Sequence, residues 1–169
     1  TWKTPGRTVL GEENLKNLIS LGVDHIDYQI NPKVESSFMI KSFKKFGSTA
    51  IPMHLALFNI PLRIANRFRI PLIVWGENSA FEYGSKKEND TGYQLDRSWI
   101  KTYGVTHGTS AIDWVDEELD KKSLTAYFGP SQKEMRNFNL SAVFLGYYFS
   151  WDPKYSKKVA QKKGFLFNT

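Results

Sequence analysis

Apolar positions in this chain follow two rhythms, a helical one and an alternating one, and the rhythm switches several times before residue 76. Thr1 and Trp2 read as the end of a strand, and "KTPGR" as a turn punctuated by Pro and Gly. Leu15, Leu18, Ile19 and Leu21 then form a helical stripe over residues 9–21, with Thr8 as N-cap and Gly22 as stop. "VDHIDYQI" alternates, which predicts a strand with Val23, His25, Asp27 and Gln29 on one side and Asp24, Ile26, Tyr28 and Ile30 on the other. A second helix follows in "NPKVESSFMIKSFKKF". Asn31 caps it, Pro32 fits its first position, and Phe38, Met39, Phe43 and Phe46 form its apolar face.

Residues 54–68 are apolar almost all round, the mark of a buried helix, and Pro61 is expected to kink or restart it. "PLIVW" then reads as a buried strand that Gly76 ends. The order strand, helix, strand, helix, helix, strand predicts an open parallel sheet with right-handed crossovers and helices on both faces, as one α/β domain over residues 1–169.

Residues 85–139 are more polar and read as an insertion or helical subregion. "SKKENDTGYQLD" reads as a loop, "DRSWIKTYG" and "SAIDWVDEELD" as short helices, the second started by Ser110, with a later turn at Gly129-Pro130. "SAVFLGYYFSWD" is a further strand-like run. "PKYSKKVAQKKG" is a helix with Pro153 at its start and Gly164 at its close. No internal repeat or low-complexity tract interrupts the pattern.

Composition narrows the chemistry. With no cysteine, disulfides and Cys-ligated metal sites are excluded within the chain. His25, His54 and His107 have no metal-ligand spacing. The net charge of +6 suits an anionic ligand or plain solubility, and the lysine pairs are scattered rather than striped. The longest apolar run, residues 142–149, is far short of the about 20 residues a bilayer span needs, and no signal peptide is visible. The opening "TWKTPGRT", without Met, reads as part of a longer or trimmed protein.

Candidate chemistry collects where strands end. In open α/β sheets ligands bind beyond the carboxyl ends of the strands. "IVWGEN" and "YYFSWD" both finish an apolar run with a carboxylate, Glu77 and Asp152. If the Trp75 and Phe149 segments lie side by side, these acids share a cavity. Glu77 and Glu82 could hold Mg²⁺, which favours one or two carboxylates plus substrate phosphates; alternatively Glu77 caps a helix and Glu82 is solvated. Arg63 and Arg67 share a helix face and, with Arg69, could clamp phosphate or form a solvated edge, Arg63 being the better placed. His54 could act as a base or ligand contact, or be a satisfied structural residue. No Walker A loop, GxGxxG or GxSxG is present.

Three stretches carry a resemblance. "NIPLRIANRFRIPLIVWGENSAFEYG", "NLKNLISLGVDHIDYQINPKV" and "VFLGYYFSWDPKYSKKVAQKKGF" resemble, in order and over nearly the whole chain, the bacterial N-acetyl sugar amidotransferases of surface-polysaccharide biosynthesis. That family is similar to the PP-loop ATPases of the adenine-nucleotide alpha hydrolase group. The resemblance implies a cytoplasmic enzyme that uses ATP and Mg²⁺ on a nucleotide-linked N-acetyl sugar, for O-antigen, lipopolysaccharide or related glycans. The carbonyl oxygen is adenylated with loss of pyrophosphate, ammonia from a partner glutaminase attacks the carbon, and AMP leaves an acetamidino group. It further implies catalytic roles for Glu77, Asn78 and Glu82, with Glu77 and Glu82 on the metal. Thr1, Trp2, His54, Arg63, Tyr83, Trp151 and Asp152 would contact substrate or nucleotide, Thr1 and Trp2 beside the adenine.

The family's SGGxDS pyrophosphate loop is absent from the sequence. The strand that carries it belongs between the strands ending at Trp2 and Trp75. The chain is therefore expected to be a middle portion of such an enzyme and inactive alone; "FLFNT" also reads as a cut end. Two other readings compete. A tRNA-modifying PP-loop ATPase would suit the charge but lacks paired cysteines and a basic stripe with aromatics. A non-catalytic nucleotide-sugar binding module is the second.

Overall fold

Capping chemistry sets most helix boundaries in the computed structural model, which describes residues 2–3, 6–76, 94–150 and 152–167. Helix α1 spans Val9–Ser20; the Thr8 hydroxyl accepts from the Gly11 amide at 3.1 Å, and Gly22 at φ 89° turns the chain away. Helix α2 spans Pro32–Phe46, with the Asn31 side chain accepting from the Lys33 amide, Pro32 at its start, and Gly47 in the left-handed conformation at its end. Both agree with the sequence expectation.

The buried line of α2 does not. Glu35, Phe38 and Ser42 face inward, while Met39 and Phe43 are exposed. The inward line keeps helical spacing but carries two polar residues, so hydrophobicity alone points one position away from it. Ser42 is satisfied locally, its hydroxyl donating to the Met39 carbonyl at 3.0 Å.

Helix α3, Ala50–Phe68, starts four residues before the expected position and runs without interruption through Pro61. A proline inside a helix costs about 3 kcal/mol. Nine buried residues of α3, from Ile51 to Ala65, outweigh that cost through packing against α2, the strand that follows, and a short helical turn. The helix ends at Arg69, which takes the left-handed conformation at φ 56°.

Strand β1, Leu72–Trp75, pairs in parallel with β2, Ser141–Phe144, in a register that sets Trp75 opposite Phe144. Gln94 bridges Val143 from the other side, so β2 is flanked on both edges. Helix α4, Arg97–Tyr103, is capped by Asp96 and lays Trp99 across this pair. Short 3₁₀ turns at Ala111–Trp114 and Ser123–Tyr127 follow, the first begun by Ser110 in a capping box with Asp113. Helix α5, Gln132–Asn137, leads into β2, a helical turn α6, Leu145–Tyr148, leaves it, and α7 spans Pro153–Lys162.

Two strand expectations are corrected. Residues 23–30 form no continuous strand: Tyr28 alone bridges Trp2, in parallel, and Lys3 donates to the Tyr28 carbonyl at 2.9 Å. A strand exists only through its partner, and among the described residues this stretch finds a bridge partner only in Trp2. The second run stops at Phe144 rather than Phe149. Its partner β1 ends at Trp75, so Leu145, Tyr147, Tyr148 and Phe149 have no ladder to join and stand exposed.

The core lies in two clusters, both built on α3. One gathers Phe38, Ile51, Leu55, Ile60, Trp114 and Tyr127, with Trp2 and Tyr28 against it. The other gathers Phe58, Leu62, Ala65, Trp75, Trp99 and Phe144. The protein is thus mixed α/β with a parallel strand pair. One face of that pair is packed against α3 and α4. The other presents Leu72 and Val74, each about half exposed, and among the described residues the helices lie against one face of the pair. No described helix is long and apolar enough to cross a membrane.

Candidate functional site

The parallel pairing of β1 and β2 sets Trp75 level with Phe144 at one end of the sheet, the residues from which the two stretches expected to share a site lead on. Trp75 closes β1 and Gly76 follows; level with Trp75, Phe144 closes β2. The partner of Trp75 is therefore Phe144, not the expected Phe149 segment. Glu77, Asn78, Glu82 and Tyr83, together with Thr1 and Trp151, lie outside the described residues. Of the expected site, the structure describes Trp2, His54, Arg63 and Asp152.

His54 sits one turn inside α3, at the end of the helix nearest Trp75. Its ring lies 6.2 Å from Phe58, whose own ring lies 5.6 Å from Trp75. Nδ1 is 2.9 Å from the Ala50 carbonyl oxygen. With Nδ1 donating that bond, Nε2 carries the lone pair and can take a proton. The Trp75 indole N–H is buried without an acceptor among the described residues, a donor that a ligand oxygen could satisfy.

Arg63 lies elsewhere. Helix α3 runs antiparallel to β1, since Phe58 touches the last residue of β1 while Phe68 leads back to its first. Nine residues of helix separate His54 from Arg63, about 13 Å along the axis at 1.5 Å per residue. Arg63 thus lies toward the start of β1, while His54 lies toward its end. Arg63 instead lines an open cleft of about 520 Å³ with Asn66, Arg67, Arg69, Gly129 and Glu134.

Trp2 belongs with this second group. It pairs with Tyr28 and packs on the Phe38–Tyr127 cluster, whereas Trp75 belongs to the other cluster. Tyr28 lines a smaller cleft of about 210 Å³ that Arg63 and Arg67 also line. The Trp2 indole N–H is buried without an acceptor among the described residues.

Asp152 is the N-cap of α7. One carboxylate oxygen accepts from the Lys154 and Tyr155 amides at 2.9 and 3.0 Å. The residue is exposed, and among the described residues no hydrogen bond joins it to His54, Trp2 or Arg63. It stands eight residues beyond Phe144, past the α6 turn.

Two features had weak signals in the sequence. Glu35 is buried beside the Phe38–Tyr127 cluster, and burial holds its carboxyl above the ordinary carboxylate range. Burial first, and the Glu35 charge second, push the Tyr127 hydroxyl up, and that hydroxyl is buried with no partner among the described residues. The only cue was the three-residue spacing from Glu35 to Phe38. Arg7 and Asp27 form a bidentate pair at 2.8 and 3.0 Å that holds α1 to the 23–30 segment. The Arg7 hydrogen bonds lower the Asp27 carboxyl below its ordinary value. No group of three or more His, Cys, Asp or Glu placed to hold a metal occurs among the described residues.

No protein-family model matches the chain, and no curated protein is significantly similar to it.

Proposed function

We propose that this chain forms part of an ATP-dependent amidotransferase that converts the N-acetyl group of a nucleotide-linked sugar into an acetamidino group. The reading rests on the resemblance of "WGENSAFEYG" and "GYYFSWD" to the sugar amidotransferases. The observation that supports it is the in-register parallel pairing of Trp75 with Phe144, the residues from which the two stretches lead on. His54 stands at that end, two aromatic contacts from Trp75.

The chemistry follows from the weakness of an amide as an electrophile. ATP is the co-substrate that turns the acetyl oxygen into a leaving group, and Glu77 with Glu82 would hold its Mg²⁺. The residues of the described chain then have limited tasks. The Trp75 indole donates to a ligand oxygen, and the apolar wall of Phe58 and Trp75 keeps water from the activated carbon. With its Nδ1 bound to Ala50, His54 accepts at Nε2 a proton from the attacking ammonia. A glutaminase partner supplies that ammonia.

The pyrophosphate loop such a reaction needs is not among these 169 residues, so the chain alone is expected to bind sugar nucleotide without turning over ATP. Titration with UDP-linked N-acetyl sugars, followed by tryptophan fluorescence, should give a saturable response that Trp75→Phe diminishes. Absence of any saturable response, or robust AMP release by the chain by itself, overturns the reading. A salt-sensitive gel shift with tRNA in place of sugar binding would favour the RNA-modifying class, which the charge of +6 suits.

A further inference from the structure

The cleft at the far end of α3 is lined by three guanidinium groups that have no carboxylate partner among the described residues. Arg63, Asn66 and Arg67 share one helix face, spaced three and four residues apart. Arg69 follows at the helix terminus. None of the three arginines forms an ion pair or side-chain hydrogen bond among the described residues, although Arg7 and Lys41 each pair with acids. Among the described residues that line the cleft the one acid is Glu134, and it is already engaged: its carboxylate accepts from the Ser131 amide at 2.7 Å and the Ser131 hydroxyl at 2.6 Å.

Helix-dipole stabilisation accounts for one cation in the last turn of a helix. It does not account for three around a concavity of about 520 Å³, a size that suits a small ligand. Nor does it account for Arg69. That residue closes the helix at φ 56°, where glycine fits without strain, and a side chain there costs roughly 1–2 kcal/mol. Keeping an arginine at such a position is the kind of local strain found at binding sites.

The shape of the ligand follows from the neighbouring cleft. Arg63 and Arg67 line both cavities, and the smaller one is walled by Tyr28, Ile60, Ile64 and Ala126. A cationic, polar chamber thus adjoins an apolar one with a phenol ring. We infer that the two clefts form one site for a nucleoside diphosphate, with the diphosphate on Arg63, Arg67 and Arg69 and the base against Tyr28 and Ile64. The juxtaposition matches a ligand charged at one end and flat and apolar at the other. This site is distinct from the strand-end site, lying about 20 Å along α3 from His54 to Arg67 at 1.5 Å per residue.

The test is an NMR titration of the protein with UDP, ADP, pyrophosphate and uridine, each alone. UDP or ADP should shift the amides of Tyr28, Ala126 and Gly129, pyrophosphate only that of Gly129, and uridine none. Arg63→Gln and Arg67→Gln should each weaken UDP about 10-fold, and the pair about 100-fold. Because Arg63 is half-buried, Arg69→Gly serves as a variant that favours the native backbone: it should unfold no more readily than the parent yet bind pyrophosphate severalfold less tightly. The inference is overturned if millimolar UDP and ADP shift none of these amides. It is equally overturned if the shifts fall only around His54 and Gly76, or if Arg69→Gly and the Arg63/Arg67 pair bind as the parent does. Shifts around His54 with UDP-linked sugars test the strand-end reading separately.

Discussion

Asn59 and Gly129 can be tested as a locked pair. Asn59 is buried in α3, and its side-chain amide donates to the Tyr127 carbonyl at 2.9 Å, tying the helix to the second 3₁₀ turn. Gly129 lies two residues further on, and a Cβ placed there would run into Asn59 Oδ1 and Cγ. The Gly129 backbone is not in the left-handed region, so alanine carries no conformational penalty and its whole cost is collision. Asn59 cannot swing aside without giving up Tyr127. Gly129→Ala should therefore destabilise by about 1–3 kcal/mol, the usual cost of overpacking. Asn59→Ala should cost a similar amount, about 1–3 kcal/mol, because it leaves the Tyr127 carbonyl buried without a donor. In the double variant the colliding atoms are gone. Gly129→Ala should then be neutral or stabilising by about 0.4–1 kcal/mol through its effect on the unfolded chain. The expected coupling is of order 1–3 kcal/mol, measured by urea denaturation of the four proteins. Costs that add within about 0.5 kcal/mol would show that the two groups do not collide, and would refute this account of the α3 interface.

Two further outcomes are expected. Glu35 binds its proton more tightly in the folded protein than in the unfolded one, so its stabilising contribution is whole below the ordinary carboxylate range and lost as pH rises through the folded value. Glu35→Gln should remove that decline and be more stable than the parent at neutral pH; equal pH slopes in thermal melts of the two proteins would contradict this. Asp152→Ala should lower stability by about 0.5–2 kcal/mol through loss of the α7 cap, while Asp152→Asn keeps it. If Asp152 also contacts sugar nucleotide, the Asn variant keeps its melting temperature but loses fluorescence response, and an unchanged response confines the residue to capping.

Much of the helical layout was legible because its signals are local. Thr8, Asn31 with Pro32, Ser110, Pro153 and Gly164 act on amides or dihedral angles within a few residues, so the chain displays them directly. The misread features depend on distant partners. The 23–30 alternation has the right period, yet among the described residues it finds only Trp2 to bridge. "LGYYF" is as apolar as "SAVF", yet only the latter lies opposite β1. Pro61 is tolerated because α3 is packed against both core clusters, which no local scale registers. In the site, the pairing of "LIVW" with "SAVF" could be read because both runs are apolar and β-like, though not that it stops at Phe144 short of the expected Phe149. The separation of Arg63 from His54 could not, since it depends on the direction in which α3 meets β1.

That direction gives the two functional readings a common element and different failure modes. Helix α3 carries His54 toward the carboxyl end of β1 and Arg63, Arg67 and Arg69 toward its amino end, with Phe58 and Leu62 locked into the β1–β2 cluster between them. Loss of packing at the centre, as in Phe58→Ala, would disturb both sites together, because one rigid helix positions both sets of side chains. Charge changes at either end act over a shorter range. At ordinary ionic strength a Debye length of about 8–10 Å is well below the roughly 20 Å between His54 and Arg67, so neutralising the arginines leaves the field at His54 nearly unchanged. An arginine variant that abolished strand-end binding while the protein stayed folded would therefore mean that one ligand spans both ends of α3, and the division into two sites would have to be given up.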